Sequence, residues 1–260
     1  MTFAIDLTGH RALVTGGGQG VGLAIAQSLA QAGASLLIND IRAEVAAAAV
    51  DELRAAGATA DGAVFDVTDW EQVRDGFASV GPVDILLNNA GNAGTAGFTS
   101  LVNFVDSDPE DWQRFFAVNL FGVMHCTKAA LPSMIDGGWG RIVTIVSDAA
   151  RNGEAKLAPY GAAKAGAAGF CRSIAREVGR HAITVNCVSL GNIATPPEWF
   201  PPPTTPEEVE REKSFLKPYV IRRRGQPTDV AGLVTYLVSP LAEWITGQTY
   251  AVNGGYTFSL

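Results

Sequence analysis

A serine, a tyrosine and a lysine in the second half of the chain have the side chains needed to move a proton. Tyr160 and Lys164 are four residues apart, which on a helix places both side chains on one face. A phenol has an ordinary pKa of about 10, and a neighbouring ammonium favours the phenolate and lowers that pKa. Ser147 follows an apolar run at 141–146 that we interpret as a strand, so its hydroxyl would lie where open α/β sheets bind ligands. These residues indicate an acid–base site, although Tyr-x-x-x-Lys alone is also common as an ordinary exposed pair.

The segments that would position these residues alternate between strands and helices. Strands are predicted at 12–15, 35–39, 59–65, 83–87, 141–146 and 183–188, and helices at 22–32, 42–56, 70–79 and around Tyr160. Such alternation predicts a parallel sheet that is covered by helices on both faces. Because composition does not shift along the chain and no repeat is evident, we predict a single doubly wound α/β domain over residues 1–260.

Composition and charge argue against several classes of protein. The net charge of -7 is unfavourable for a nucleic-acid partner, because phosphates require a basic surface. The first residues do not have the pattern of a signal peptide, and no apolar run is long enough to span a bilayer, so we predict a cytoplasmic protein with no membrane partner. Cys126, Cys171 and Cys187 are expected to be buried, reduced thiols. The histidines have no companion ligands at metal-binding spacing, so no metal site is predicted.

A glycine cluster, Thr15-Gly-Gly-Gly-Gln-Gly-Val-Gly22, connects the first predicted strand to a helix. Glycines in this position allow a tight turn and a close approach to a pyrophosphate, which the helix N-terminus stabilises. Asp40 closes the second strand about 20 residues further on, as in dinucleotide-binding units. Its carboxylate would accept hydrogen bonds from the adenosine ribose and repel a 2′-phosphate. The pattern favours NAD over NADP, although Arg42 offers a cation for a 2′-phosphate.

Several motifs occur in the order and approximate spacing of the short-chain dehydrogenase/reductases. They are the glycine pattern T-G-x-x-x-G-x-G, the run at 88–91, Asn119, Ser147 and Tyr160-x-x-x-Lys164. The sequence resembles this family over essentially its whole length. The resemblance implies a Rossmann-type sheet of about seven strands, assembled as a homotetramer or less often a homodimer. Together with the preference for NAD that Asp40 indicates, it predicts an NAD(H)-dependent oxidoreductase that interconverts a secondary alcohol and a ketone.

The resemblance further implies a role for each matching residue. Tyr160 would be the general acid in ketone reduction and the general base in alcohol oxidation. Lys164 would lower the Tyr160 pKa and bind the nicotinamide ribose, while Ser147 would hydrogen-bond the substrate oxygen. Asn119 would hold a water in a proton relay. The residues expected at the cofactor are Gly16, Gly18, Gln19, Gly20, Val21, Gly22, Asp40, Ile41, Asp66, Val67, Asn89, Ala90, Gly91, Tyr160, Lys164, Gly191, Ile193 and Thr195.

Three local questions stay open on the sequence alone. Asp69 is predicted as an N-cap for the helix at 70–79, whereas Asp66 is either the adenine contact or a second cap. The loop after the 183–188 strand begins Leu190-Gly191 where the family usually has Pro-Gly, so its aim could differ. Asp148, next to Ser147, either faces the substrate or caps a turn.

Two long segments, 92–108 and 193–219, follow predicted strand ends and are candidate substrate walls. The second is predicted as the substrate loop and carries Trp199 and Phe200, with an excursion of no function as the alternative. The stretch 147–154 is similar to that of relatives that act on hydroxyacyl or alicyclic thioesters, and the aromatic residues suit a steroid or another bulky ring. A 3-oxoacyl carrier-protein reductase using NADPH is a second hypothesis. A non-catalytic cofactor-sensing protein on the same fold is a third.

Overall fold

The computed structural model describes residues 4–91, 102–195 and 201–258. Within these residues one parallel sheet contains seven strands, in the order β3-β2-β1-β4-β5-β6-β7. The strands are β1 (Arg11–Thr15), β2 (Ser35–Asp40), β3 (Ala60–Val64), β4 (Ile85–Asn88), β5 (Gly140–Ser147), β6 (Ile183–Leu190) and β7 (Thr249–Val252). The winding direction reverses between β1 and β4, which creates a crevice at the carboxyl ends of the strands. The predicted doubly wound α/β fold is confirmed.

Nine α-helices occur in the described part of the chain. They are α1 (Gly20–Gln31), α2 (Ala43–Ala55), α3 (Trp70–Val80), α4 (Pro109–Phe116), α5 (Val123–Gly137), α6 (Ala149–Asn152), α7 (Ala158–Val178), α8 (Pro206–Leu216) and α9 (Pro227–Leu237). Most predicted boundaries differ from these by one or two residues, as is usual at element ends. The larger error concerns β7, which was not among the predicted strands because its four half-buried residues lack a continuous apolar run.

Apolar side chains from the helices cover both faces of the sheet. On one face α1, α2 and α9 contribute Leu29, Leu53 and Val234 to a buried cluster. On the other face α3, α5 and α7 contribute side chains that include Phe77 and Met134. Because both faces are buried, the central strands are apolar along their length rather than alternating, which is why their positions are readable from the sequence.

Several polar and thiol groups have structural surroundings. Cys126, Cys171 and Cys187 are buried and unbridged, as predicted. The ring of His10 stacks on Trp139 at 4.0 Å. No group of three or more histidine, cysteine, aspartate or glutamate residues that could hold a metal ion is found in residues 4–91, 102–195 and 201–258. None of the helices in these ranges has the length and apolarity needed to cross a bilayer.

The turn before α3 resolves the question of the two aspartates. Asp69 Oδ1 accepts hydrogen bonds from the backbone N–H of Glu71 at 2.9 Å and of Gln72 at 3.2 Å, so the predicted N-cap is confirmed. Asp66 Oδ1 instead accepts from the backbone N–H and the hydroxyl of Thr68, at 2.8 and 2.9 Å. Asp66 therefore stabilises the local turn and does not cap the helix.

Two helical glycines give a matched test of packing against the sheet. A β-carbon at Gly76 of α3 would lie 2.4 Å from the ring of Phe65, whereas one at Gly232 of α9 would meet no atom within 4 Å. We expect Gly232→Ala to stabilise the protein by about 1 kcal/mol, because alanine favours a helix. Gly76→Ala should destabilise it by about 2 kcal/mol, since overpacking outweighs that preference. Urea unfolding measures both, and a Gly76→Ala variant as stable as Gly232→Ala would contradict the packing.

Candidate active site

One cavity of about 1090 Å³ opens at the carboxyl ends of the strands, where the sheet reverses direction. Its wall contains most of the site residues predicted from the sequence: Gly16, Gln19, Gly20, Val21, Gly22, Asp40, Ile41, Asp66, Val67, Asn89, Ala90, Gly91, Ser147, Tyr160, Lys164, Gly191, Ile193 and Thr195. Gly18 and Asn119 are the predicted residues that lie outside this wall. The fold thus brings together residues that are up to 179 positions apart (16 to 195) in the sequence.

Helix α7 presents Tyr160 and Lys164 to the end of β5, where Ser147 is the last strand residue. The Tyr160 hydroxyl is hydrogen-bonded to the Ser147 side chain. Lys164 Nζ donates a hydrogen bond to the carbonyl oxygen of Ile145 at 2.8 Å. The side chains of Tyr160 and Lys164 are almost wholly buried, with 7% and 4% of their residue surface exposed. A phenol and an ammonium are therefore held on one face of a helix beside a strand-end hydroxyl.

Burial shifts the two ionisable groups in opposite directions. The pKa of Tyr160 is raised, chiefly because burial disfavours the phenolate; the Ser147 hydrogen bond acts to lower it and the charge of Glu154 acts to raise it. Burial lowers the pKa of Lys164 to about 8, since the ammonium is poorly solvated there. The sequence pattern predicts a lowered Tyr160 pKa, and that direction is wrong for this structure. For the Tyr160 phenolate, the loss of hydration outweighs any attraction to a nearby cation. The Lys164 ammonium instead donates its hydrogen bond to the carbonyl oxygen of Ile145.

Asn119 lies in a π-helical turn, Ala117–Gly122, that interrupts the path from α4 to α5. It is fully buried, and its Nδ2 donates to the carbonyl oxygen of Phe115 at 3.0 Å. A β-carbon built at Gly91 would lie 3.0 Å from Asn119 Oδ1 and 3.4 Å from Lys164 Nζ. Both side chains thus approach one backbone position, Gly91, in the cavity wall. Wide turns of this kind are frequent at functional sites.

The loop between β1 and α1 is packed so closely that side chains would not fit. A β-carbon at Gly22 would lie 2.3 Å from the carbonyl oxygen of Gly16, and one at Gly20 would lie 2.4 Å from Thr195 Oγ1. Gly20 also has a left-handed φ of 58°. This geometry leaves the backbone N–H groups at the start of α1 beside the cavity, which is an arrangement that suits an anion.

Asp40 and Arg42 form an ion pair at the end of β2. Asp40 is buried, and its Oδ1 accepts a hydrogen bond from the backbone N–H of Arg42 at 3.1 Å. The same oxygen lies 3.5 Å from Arg42 Nε, with 43% of the arginine side chain exposed. The guanidinium considered as a 2′-phosphate ligand is thus directed to the carboxylate.

Asp148 is a buried carboxylate that receives four hydrogen bonds. Its Oδ1 accepts from Ser189 Oγ at 2.6 Å and from Arg151 Nη1 at 3.3 Å. Its Oδ2 accepts from Asn253 Nδ2 at 2.5 Å and from Thr257 Oγ1 at 3.1 Å. Asp148 has 1% of its surface exposed and is not among the residues that line the cavity. It joins the ends of β5 and β6 to the segment 253–257 that follows β7.

The cavity is also lined by residues that the sequence did not single out as site residues. They are Glu154, Leu157, Ser214, Phe215, Pro218, Tyr219 and Tyr256, together with Val118, Leu190 and Asn192. The rings of Tyr219 and Tyr256 stack with centroids 4.9 Å apart. The turn Asn253-Gly-Gly255, which reverses the chain after β7, is the signal that could have located Tyr256.

The segment predicted as the substrate loop, 193–219, contributes Phe215 and Tyr219 to this wall and contains α8. Its first residues are tied down, since Ala194 N–H donates to the carbonyl oxygen of Gly225 at 2.8 Å and Gly225 N–H donates to that of Asn192 at 3.0 Å. Trp199, Phe200 and residues 92–101 of the other candidate wall lie outside the described residues.

Comparison with known proteins gives consistent matches over nearly the full chain. A family model described as short chain dehydrogenase matches residues 10–200. The 7alpha-hydroxysteroid dehydrogenase of Escherichia coli (strain K12) is 36% identical over 255 residues, which cover 96% of this chain and 95% of that protein.

Two solved structures are similar in fold as well as in sequence. One is a 7 alpha-hydroxysteroid dehydrogenase complexed with NADH and 7-oxo glycochenodeoxycholic acid, with a TM-score of 0.84, 35% identity and coverage of 96% of this chain and 95% of that one. The other is a gluconate 5-dehydrogenase from Burkholderia cenocepacia J2315 in complex with NADP and tartrate, with a TM-score of 0.86, 32% identity and coverage of 98% of both chains.

The buried ammonium of Lys164 should reduce stability in a pH-dependent way. Its pKa in the folded protein is about 8, below the ordinary value of 10.5. Burial of the ammonium therefore lowers the free energy of unfolding by its full amount below pH 8, and this loss of stability disappears as the pH rises toward 10.5. We expect Lys164→Met to be more stable than the parent by about 2 kcal/mol at pH 7, after allowing for the lost bond to Ile145. This gain should shrink between pH 8 and 10.

Urea unfolding at pH 7 and pH 10 measures the gain, with Lys213→Met as the control because that side chain is 69% exposed. The control should leave the free energy of unfolding nearly unchanged at both pH values. A Lys164→Met variant that is less stable than the parent at pH 7, or whose difference from it is the same at pH 10, would contradict the assignment.

Proposed function

Because this chain belongs to the short-chain dehydrogenase family, we propose that it is an NAD-dependent dehydrogenase that interconverts a secondary alcohol and a ketone on a bulky ring substrate. Family membership makes the chain an oxidoreductase of the alcohol–ketone type. The observation that carries the finer proposal is that Ser147, Tyr160 and Lys164 line the same cavity as the glycine loop. The proposed proton donor and the proposed dinucleotide-binding turn thus line the same cavity.

The residues that line the cavity fit a dinucleotide. The crowded glycine loop would hold the pyrophosphate at the start of α1, and the buried carboxylate of Asp40 would accept hydrogen bonds from the adenosine ribose. Asp66 and Val67 line the cavity beyond Asp40 and would contact the adenine. Lys164 would bind the nicotinamide ribose, and Ile193 and Thr195 the nicotinamide amide. When bound, NAD supplies the acceptor for hydride from the alcohol.

Ser147 and Tyr160 are the residues that we assign to proton transfer. In ketone reduction the Tyr160 hydroxyl donates its proton to the substrate oxygen, and in alcohol oxidation the phenolate accepts it. The Ser147 hydroxyl, which is bonded to Tyr160, would also hold the substrate oxygen and stabilise its charge. The raised pKa of Tyr160 keeps the phenol protonated at neutral pH, which supports the reduction direction. Asn119 and Lys164 would relay the proton from Tyr160 toward solvent.

Asp40 supports NAD as the cofactor. Its carboxylate would repel a 2′-phosphate, and its ion pair with Arg42 engages the guanidinium that could offset this repulsion. The two similar solved structures hold NADH in one case and NADP in the other, so the preference proposed for this chain rests on Asp40. The alternative of a 3-oxoacyl carrier-protein reductase using NADPH is less compatible with this carboxylate. We also propose assembly as a homotetramer or homodimer, on the family resemblance.

The far wall of the cavity supports a bulky substrate. Tyr219 and Tyr256 present stacked rings, and Phe215 lies against Tyr219 with ring centroids 6.1 Å apart. Aromatic faces of this size bury extended apolar rings well. The similarity to a 7alpha-hydroxysteroid dehydrogenase points to the same class of substrate, a secondary alcohol on a fused or substituted ring.

The proton donor can be tested by removing one oxygen. Tyr160→Phe should lower kcat by about 10²- to 10⁴-fold, which is the usual loss for a general acid or base. NADH binding, followed by nicotinamide fluorescence, should be retained, because the ring still fills its space. Tyr236→Phe on α9, away from the cavity wall, is the matched control and should retain activity. Turnover by Tyr160→Phe close to that of the control would exclude Tyr160 as the proton donor.

The cofactor preference can be tested at Asp40. Asp40→Ala removes the charge that would repel a 2′-phosphate and releases Arg42, so the ratio of kcat/KM for NAD over NADP should fall at least about tenfold. Asp61→Ala provides the control, because this carboxylate on β3 is 59% exposed and pairs with Arg54. An unchanged ratio in Asp40→Ala would show that Asp40 does not determine the preference.

A further inference from the structure

Glu154 places a carboxylate on the wall of the substrate end of the cavity. It lies in the connection between α6 and α7, half-buried, on the same wall as Ser147 and Tyr160. Within the described residues its side chain forms no hydrogen bond or ion pair. Burial raises the pKa of Glu154, and the nearby charge of Asp148 acts in the same direction. The carboxylate is thus partly desolvated and has no partner among residues 4–91, 102–195 and 201–258.

The charge of Glu154 affects two tyrosines that line the cavity. It contributes to raising the pKa of Tyr160, the proposed proton donor, and that of Tyr219 in the aromatic wall. Tyr219 and Tyr256 are stacked on each other and line the same cavity as Ser147 and Tyr160. A substituent on the substrate that reaches past the reacting carbon would therefore meet a carboxylate and tyrosine rings together.

In the part of the cavity wall that the structure describes, no basic side chain is placed to balance this carboxylate. Among the described residues that line the cavity, the basic ones are Lys164 and Arg42. Lys164 donates a hydrogen bond to the carbonyl oxygen of Ile145, and Arg42 is paired with Asp40 at the end of β2. The segments outside the described residues contain no lysine or arginine in their sequence. An anionic substituent would find repulsion here and no cation to bind it.

We propose that Glu154 selects ring alcohols and ketones that carry a protonated amine, and discriminates against those that carry a carboxylate. This inference rests on the proposed function and specifies its substrate class. An ammonium group would pair with the partly buried carboxylate, where the interaction is stronger than in water, and would lie against the tyrosine faces. A hydroxyl group would donate one hydrogen bond to Glu154 and fall between the two.

The test uses four cyclohexanols that differ only at carbon 4, where they carry a methyl, hydroxymethyl, aminomethyl or carboxyl group. At pH 8 the amine is protonated and the acid ionised. NADH formation should give kcat/KM in the order aminomethyl, hydroxymethyl, methyl, carboxyl. In Glu154→Gln the aminomethyl-to-methyl ratio should fall at least about tenfold, and the carboxyl-to-methyl ratio should rise. Glu177→Gln, on the exposed side of α7, is the matched control and should leave both ratios unchanged.

The methyl compound separates this inference from the proposed function. If it is oxidised but the amine gives no advantage, or the Glu154→Gln ratios equal those of the control, the role of Glu154 is overturned and the dehydrogenase proposal stands. If no compound is oxidised, ring-alcohol dehydrogenation fails, and calorimetry of the four compounds with the Tyr160→Phe variant and NAD still ranks their binding. A ranking in which the amine is not the tightest ligand, or an absence of binding, overturns the role of Glu154.

Discussion

The site depends on a set of hydrogen bonds that fastens β1 to β4 where the sheet reverses. Thr15 Oγ1 donates to the carbonyl oxygen of Leu87 at 3.1 Å and accepts from the backbone N–H of Asn89 and Ala90, at 3.0 and 3.1 Å. Asn89 Nδ2 donates to the carbonyl oxygens of Thr15 and Gly16, at 2.9 and 3.0 Å. These bonds set the distance between the glycine loop and the backbone at Gly91, which Lys164 and Asn119 approach. Both halves of the cavity are positioned by this one junction.

Near that junction the ionisable side chains of Tyr160 and Lys164 are buried. Burial makes both Tyr160 and Lys164 harder to ionise, which raises the pKa of the first and lowers that of the second. Such paired shifts are typical of functional sites and reduce stability. The surrounding apolar clusters on both faces of the sheet offset this cost, since the strands that carry the site are buried along their length.

Features that depend on local sequence could be predicted, and those that depend on distant contacts could not. The buried strands, the glycine loop and the Asp69 cap each follow from a few consecutive residues, and the structure has them. The aromatic part of the cavity wall depends on the stacking of Tyr219 on Tyr256, and no periodicity in the sequence indicates that contact. The direction of the Tyr160 shift was mistaken because burial is a property of the packed fold. Spacing along α7 reports only that Lys164 is near.

The network around Asp148 has a consequence for the order in which the protein folds. Its donors Asn253 and Thr257 follow it by 105 and 109 residues, among the longest separations of any bond in the site. Contacts at such separation form late, because the loop they close is costly in entropy. The sheet around β1 and β4 can therefore assemble before Tyr256 is docked. A chain interrupted at that stage would hold paired β1 and β4 strands and a cavity wall that still lacks Tyr256.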